Sequence, residues 1–227
     1  MDFFAHLQNE LQPKIDQILD HPFLNRLADG SLSKEQLKFF TLQYSIYCAY
    51  FPRFLAAAAA NVPDDRTRMP IMENLWEEHG EGKIAASHRV LYENYAKGLG
   101  LSQADLMSAS PLPNTRACVE NLLDLCEEGH FLESLGALGP GTEFFTTAEY
   151  LKILEGLRKH KILTEEHLEF WIVHTALDEE HYSEMIDALR PWAKTSTEES
   201  MIRLGAIKAI ELEILFWDGL EKYLPGK

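Results

Sequence analysis

Phe4-Ala5-His6-Leu7-Gln8-Asn9-Glu10-Leu11-Gln12-Pro13-Lys14-Ile15-Asp16-Gln17-Ile18 carries its apolar side chains at 4, 7, 11, 15 and 18, three to four residues apart. That spacing gathers them on one face of a helix, whereas a half-buried strand needs alternation at every second residue. The same period recurs along nearly the whole chain, and β-branched runs bounded by turns are hard to find. The fold class is therefore all-α. Ser33 ahead of Lys34-Glu35-Gln36 is a capping-box signal, predicting a helix through the aromatic stretch 39–54 to about Asn61, with a kink at Pro52. Val62-Pro63-Asp64-Asp65 is a turn. A second long helix is expected from Arg66 to about Lys97, although Gly80 and Gly82 each cost a helix interior about 1 kcal/mol against alanine and so call for a bend.

Gly98-Leu99-Gly100 closes that element, Ser102 can cap a short helix, and Ser110-Pro111-Leu112-Pro113-Asn114 is a loop before a helix to about Glu128. Gly139-Pro140-Gly141, the sharpest break, lies inside an otherwise continuous apolar helix and reads as a kink beside a site. Thr164-Glu165-Glu166 opens a helix to about Leu189, and Thr197-Glu198-Glu199 opens the last, to about Tyr223. With no repeat, low-complexity linker or composition shift, one domain over 1–227, of seven to eight helices, is the expected organisation.

The 227 residues hold 21 lysines and arginines against 36 aspartates and glutamates, a net charge of −15 that repels phosphate backbones and anionic membranes. Nucleic acid is not an expected partner. Three cysteines, Cys48, Cys118 and Cys126, form no metal-binding or redox spacing, and no apolar run approaches the roughly 18–20 residues that span a bilayer. The start of the sequence has no secretory pattern, so a soluble cytoplasmic protein is expected.

The strongest chemical signal is His174-Thr175-Ala176-Leu177-Asp178-Glu179-Glu180-His181. At about 100° per residue, Asp178 stands about 40° and His181 about 20° from His174, so all three share a face. Phe170, Trp171, Val173 and Leu177 turn that helix inward. Two imidazoles and a carboxylate on one rigid helix suit iron, manganese or zinc. Trp76-Glu77-Glu78-His79-Gly80-Glu81-Gly82, followed by His88, is the second cluster. On a regular helix Glu77 and Glu81 face His88, while Glu78 lies about 80° away unless the glycines bend it round; a solvated acidic face is the competing reading. Glu143, after the Gly-Pro-Gly break and before Phe144-Phe145, is a carboxylate in apolar surroundings that wants a cation, or else a favoured first-turn acid. Glu127-Glu128-Gly129-His130 has the E-x-x-H spacing, but Gly129 puts His130 at a helix end. Tyr44, Tyr47, Tyr50 and Phe51 cluster at helical spacing; Tyr44, Tyr47 and Phe51 are candidates for a substrate pocket, with core packing as the alternative.

The order Phe51-Pro52-Arg53-Phe54-Leu55, Asn74-Leu75-Trp76-Glu77-Glu78-His79-Gly80, His88, Glu143 and His174-x3-Asp178-x2-His181 resembles the haem-oxygenase-like diiron oxidases and oxygenases. Within them it resembles most the branch named for the chlamydial protein associating with death domains, and the likeness runs from about His21 to Asp218. The superfamily also holds the thiaminase-II-like TenA proteins and the pyrroloquinoline-quinone synthesis oxidase, which lack this full ligand set. The resemblance implies six metal ligands, Glu78, His88, Glu143, His174, Asp178 and His181, with Glu81 the alternative to Glu78. It implies two Fe2+ per chain, or a manganese–iron pair, O2 as co-substrate, an external electron donor and a homodimer. In the p-aminobenzoate-forming branch the resemblance implies a self-supplied tyrosine within the segment matching His21-Pro22-Phe23-Leu24-Asn25-Arg26, and a lysine about ten residues after the bridging glutamate. Here Leu24 stands at the first place and Ile153 at the second, with Lys152 one residue earlier, so a separate small substrate is expected, such as an amino-acid or fatty-acid derivative. The other readings are a metal-independent TenA-like enzyme working through Cys118 or Cys126 and a glutamate, and an interaction protein with a vestigial site.

Overall fold

The computed structural model describes residues 2–226, the side chains of 176–180 excepted. Helix α1 (Phe3–Leu19) buries Phe4, Leu7, Leu11, Ile15 and Ile18, the stripe read from the sequence. After the short α2 (Pro22–Asp29), α3 (Lys34–Asn61) starts where the capping box places it: Gln36 N–H donates to Ser33 Oγ at 3.3 Å and Ser33 N–H to Gln36 Oε1 at 3.0 Å. Pro52 lies within α3 without ending it, and its ring nitrogen has no hydrogen for the Cys48 carbonyl one turn back.

The helix expected from Arg66 to Lys97 is two helices, α4 (Asp65–Glu78) and α5 (His88–Gly98), joined through a 3-10 turn at Ile84–Ala86. Gly80, Glu81 and Gly82 have φ of 68°, 52° and 80°, three successive left-handed residues that no α-helix contains. At Gly80 a Cβ would also lie 2.4 Å from the Lys83 carbonyl oxygen. The glycines thus break the helix where a bend was expected.

Helix α6 (Gln103–Ser108) is capped by Ser102, and α7 (Pro113–Glu128) and α8 (Phe131–Leu138) follow. The Gly139-Pro140-Gly141 break is a single π turn over Gly139–Glu143, which feeds α9 (Phe144–Arg158). A 3-10 turn at Glu165–Leu168 leads into α10 (Glu169–Leu189). The last helix, α11 (Ser196–Tyr223), is capped by Thr195 rather than opened at Thr197. The described residues thus hold eleven α-helices and no strand, more than the seven to eight expected. The surplus comes from the turn between α1 and α2, the break after Glu78 and the π turn that divides α8 from α9. None of these helices is long and apolar enough to cross a membrane.

Helix α11 packs along α8, α7, α1 and the π turn, and α10 packs against α9, α4, α5 and the same turn. Gly205 lets α11 press onto α8 so closely that a Cβ there would lie 1.9 Å from the Glu133 carbonyl oxygen. Between these layers Phe40, Tyr44, Trp171, Phe216 and Trp217 form a continuous aromatic core with ring centres 5.3–6.4 Å apart. Burying side chains of this size contributes about 2–3 kcal/mol each. That rigid mass backs the inner ends of α3, α9 and α10, where the polar residues gather.

Candidate metal centre

Glu78 is the last residue of α4 and His88 the first of α5. On an unbroken helix the two would point about 80° apart. The left-handed turn instead folds α5 back, and His88 Nδ1 comes within 2.8 Å of Glu78 Oε1, both side chains buried. From α10, His174 joins them with its Nε2 3.9 Å from the same oxygen and its ring centre 4.3 Å from that of His88. One ligand atom from each of Glu78, His88 and His174 falls within 4.8 Å of the others. His174 Nδ1–H donates to the Phe170 carbonyl at 2.6 Å, which leaves the Nε2 lone pair turned to the cluster.

Burial alone would raise the Glu78 carboxyl, but the His174 and His88 imidazoles beside it overcome that and hold it down to about 2. The same burial lowers His174, keeping its imidazole neutral and free to bind a cation. An ionised carboxylate beside neutral imidazole nitrogen is the donor set that iron, manganese and zinc accept. Ligands about 2.1 Å from a shared ion lie about 3–4 Å apart, close to the 2.8 and 3.9 Å found here. The residues fit a divalent metal.

The π turn inserts one residue into the helical phase, and its final residue, Glu143, is only 4% exposed. Gly141 permits this: a Cβ there would sit 2.9 Å from Ala206 on α11. Burial pushes Glu143 up to about 7 against the opposing charge of His181 and a 3.0 Å hydrogen bond from Asn74 Nδ2. His181 Nε2 lies 2.6 Å from Glu77 Oε2. Asp178 lies outside the described side chains. Glu81, the alternative to Glu78, is exposed on the left-handed turn and is not brought to the cluster.

These groups open onto a cavity of about 450 Å³, whose wall includes Tyr44, Tyr47 and Phe51. Two further carboxyls, Glu149 on α9 and Glu213 on α11, are 2% and 6% exposed on the same wall. Trp217 Nε1–H donates to Glu149 Oε1 at 2.8 Å, and the Tyr44 hydroxyl donates to that of Tyr150 at 2.9 Å. Burial pushes Glu149 well above the carboxylate range, with the Glu213 charge adding to it; burial likewise lifts Glu213 to about 7 against hydrogen bonds from Tyr47 and Trp217. Sequence reading missed both, and it gave Asn74 no role. The available signal was an acid embedded in an apolar helix, as in Leu212-Glu213-Ile214-Leu215-Phe216-Trp217.

The other candidates lie elsewhere. Cys118 and Cys126 are buried off the cavity wall, and burial pushes their thiols up, Cys126 to about 12. His130 caps α8 by accepting from Leu132 N–H at 3.2 Å. Leu24 is wholly buried in the core, and Lys152 reaches back to the Leu19 carbonyl and Asn25 Oδ1.

The all-α bundle, with a buried Glu-His-His cluster able to hold a metal ion at its cavity, has the haem-oxygenase-like fold. A solved CADD-like protein from Nostoc punctiforme superposes with a TM-score of 0.78 over 97% of this chain and 98% of its own, at 20% identity. The chain belongs to the family described as iron-containing redox enzyme, whose model matches residues 38–214. It is 27% identical to the 4-aminobenzoate synthase of Nitrosomonas europaea over 94% of this chain and 92% of that protein. It is 28% identical to the aminopyrimidine aminohydrolase of Halalkalibacterium halodurans, over 96% and 95%.

Proposed function

We propose that the protein is a non-haem diiron, or manganese–iron, enzyme that activates O2 to oxidise or oxygenate a small organic substrate. The observation that carries this reading is the convergence of Glu78, His88 and His174 beside Glu143 and His181 at one cavity. Glu78, His88 and His174 would hold one metal; Glu143, Asp178 and His181 would hold the other. Held there, two ferrous ions would supply the electrons that activate O2, and O2 would supply the oxidising equivalents that no protein side chain can. The chain's own contribution is positional and protonic. The Phe170 carbonyl fixes the His174 tautomer. The buried Glu143 carboxyl gives up its proton when a cation takes its place. Tyr44, Tyr47 and Phe51 wall the substrate off from bulk water.

An amino-acid derivative is the favoured substrate class, in keeping with relatives named for aminobenzoate and aminopyrimidine chemistry. A cytoplasmic homodimer served by an external electron donor completes the reading. The test is iron analysis after anaerobic reconstitution of wild type, His174→Ala and Glu143→Ala, then stopped-flow absorbance on mixing with O2. About two irons per chain in wild type, lost in the variants, with an O2-dependent transient, is expected. Absence of specific iron uptake by wild type would overturn the reading.

A further inference from the structure

Asn74 stands on α4 four residues before Glu78, so both side chains leave the same face of the helix, and both line the cavity. It is 2% exposed, and its two polar ends are unequally served. Nδ2–H donates to Glu143 Oε1 at 3.0 Å, whereas Oδ1, equally closed to solvent, accepts no hydrogen bond among the described residues. An amide oxygen shut away in this manner is costly unless something electropositive meets it. Oδ1 has no surface that a water-sized group can touch, but a divalent cation sits closer to its oxygen ligands, at about 2.0–2.2 Å against roughly 2.8 Å for a hydrogen-bond donor. No lysine lines the cavity among the described residues, and its two arginines, Arg53 and Arg89, are exposed at the rim. Through the shared Glu143 carboxyl, the amide belongs to the metal half of the cavity.

We propose that Asn74 is a further metal ligand: its Oδ1 binds the ion at the Glu143 position, while its N–H holds Glu143 Oε1 and leaves Oε2 for the same ion. This rests on the reading of Glu143, Asp178 and His181 as a metal position. A neutral carbonyl-type oxygen is a hard donor of the kind manganese accepts in a six-ligand shell, whereas zinc is satisfied by four ligands. Asn74 therefore weights this position toward manganese against zinc.

The test is anaerobic titration of the full chain, stripped of metal by a chelator, with Mn2+, read from the EPR signal of the free ion, and with Zn2+, read against a chromophoric chelator. Wild type, Asn74→Leu and Asn74→Asp are compared, each checked for folding by thermal unfolding; should Asn74→Leu not fold, Asn74→Ala takes its place. Wild type is expected to bind about two Mn2+ per chain. Asn74→Leu, similar in volume and without a polar atom, should weaken one of the two by at least about tenfold and leave the other, at Glu78, His88 and His174, unchanged, while Zn2+ loses no more than about threefold. Asn74→Asp keeps an oxygen at that place and should hold both Mn2+ within about threefold of wild type. Two Mn2+ affinities unchanged by Asn74→Leu would overturn the proposal and leave the two-metal reading standing. Equal losses for Mn2+ and Zn2+, or an Asn74→Asp as weak as Asn74→Leu, would overturn it too, because Asn74 would then only hold Glu143 in place. A wild type that binds a single Mn2+, indifferent to Asn74→Leu, would remove the second metal position and this ligand with it.

Discussion

Replacing Glu213 by glutamine is predicted to make the metal-free protein more stable at pH 8 and leave it unchanged at pH 4.5. Glu213 is 6% exposed on α11, and its carboxyl is lifted from 4.5 to about 7, by burial first, against hydrogen bonds from Tyr47 and Trp217. Below pH 4.5 the folded and unfolded states both hold the proton, and an amide is close to isosteric with the neutral acid. Between 4.5 and 7 the unfolded chain ionises while the folded chain keeps its proton, so folding loses about 1.4 kcal/mol per pH unit. Above 7 both states are ionised and the whole penalty, about 3 kcal/mol, stands. Glutamine removes it while keeping an acceptor for Trp217 and Tyr47. For a chain of this size that is a rise in Tm of about 6–12 °C at pH 8. Urea and thermal unfolding of both proteins at pH 4.5, 6 and 8, in the presence of a chelator, measure the difference. Comparison with wild type cancels the repulsion of the acidic surface, which also eases on acidification. Equal stability of the two proteins at pH 8, or a variant that loses stability as pH rises through 4.5–7 relative to wild type, would refute the reasoning.

Gly205→Ala should lower stability by at least about 2–3 kcal/mol, because the new Cβ would lie 1.9 Å from the Glu133 carbonyl oxygen and force α8 and α11 apart. Calorimetry finding a Tm within a degree of wild type would contradict so close a crossing. Glu77→Gln should leave iron content after desalting unchanged, since Glu77 pairs with His181 and lies outside the proposed ligand set, whereas His181→Ala should reduce it. Equal loss in both would make Glu77 a ligand in its own right.

The fold was legible wherever one helical face had to be buried and one cap had to be filled. The α1 stripe, the Ser33–Gln36 box and the ends of α3 and α7 follow from periodicity and side-chain chemistry that act within a turn or two. His174 and His181 line one cavity because α10 carries both on continuous helix, as their seven-residue spacing requires. Glu78 and Glu143 were harder. Each reaches the site only because regular phase is interrupted, by three left-handed residues in one case and a π turn in the other. Helical geometry by itself favoured Glu77 and Glu81 over Glu78, and it was the break at Gly80 that reversed the order. The cost of Gly80 and Gly82 was visible in the sequence, but the direction in which the chain turns was not. Glu149 and Glu213 stayed hidden because their meeting depends on α9 and α11 facing one cavity, a tertiary fact that neither helix states alone.

The two acid clusters on the cavity wall differ in their electrostatics. Glu78 is held low by two histidines, so it is ready-ionised for a metal whatever else occupies the cavity. Glu149 accepts from the neutral Trp217 indole, and burial lifts both Glu149 and Glu213. A fold selected for stability alone would carry glutamine, methionine or leucine at 213, where the carboxylate costs about 3 kcal/mol above neutrality.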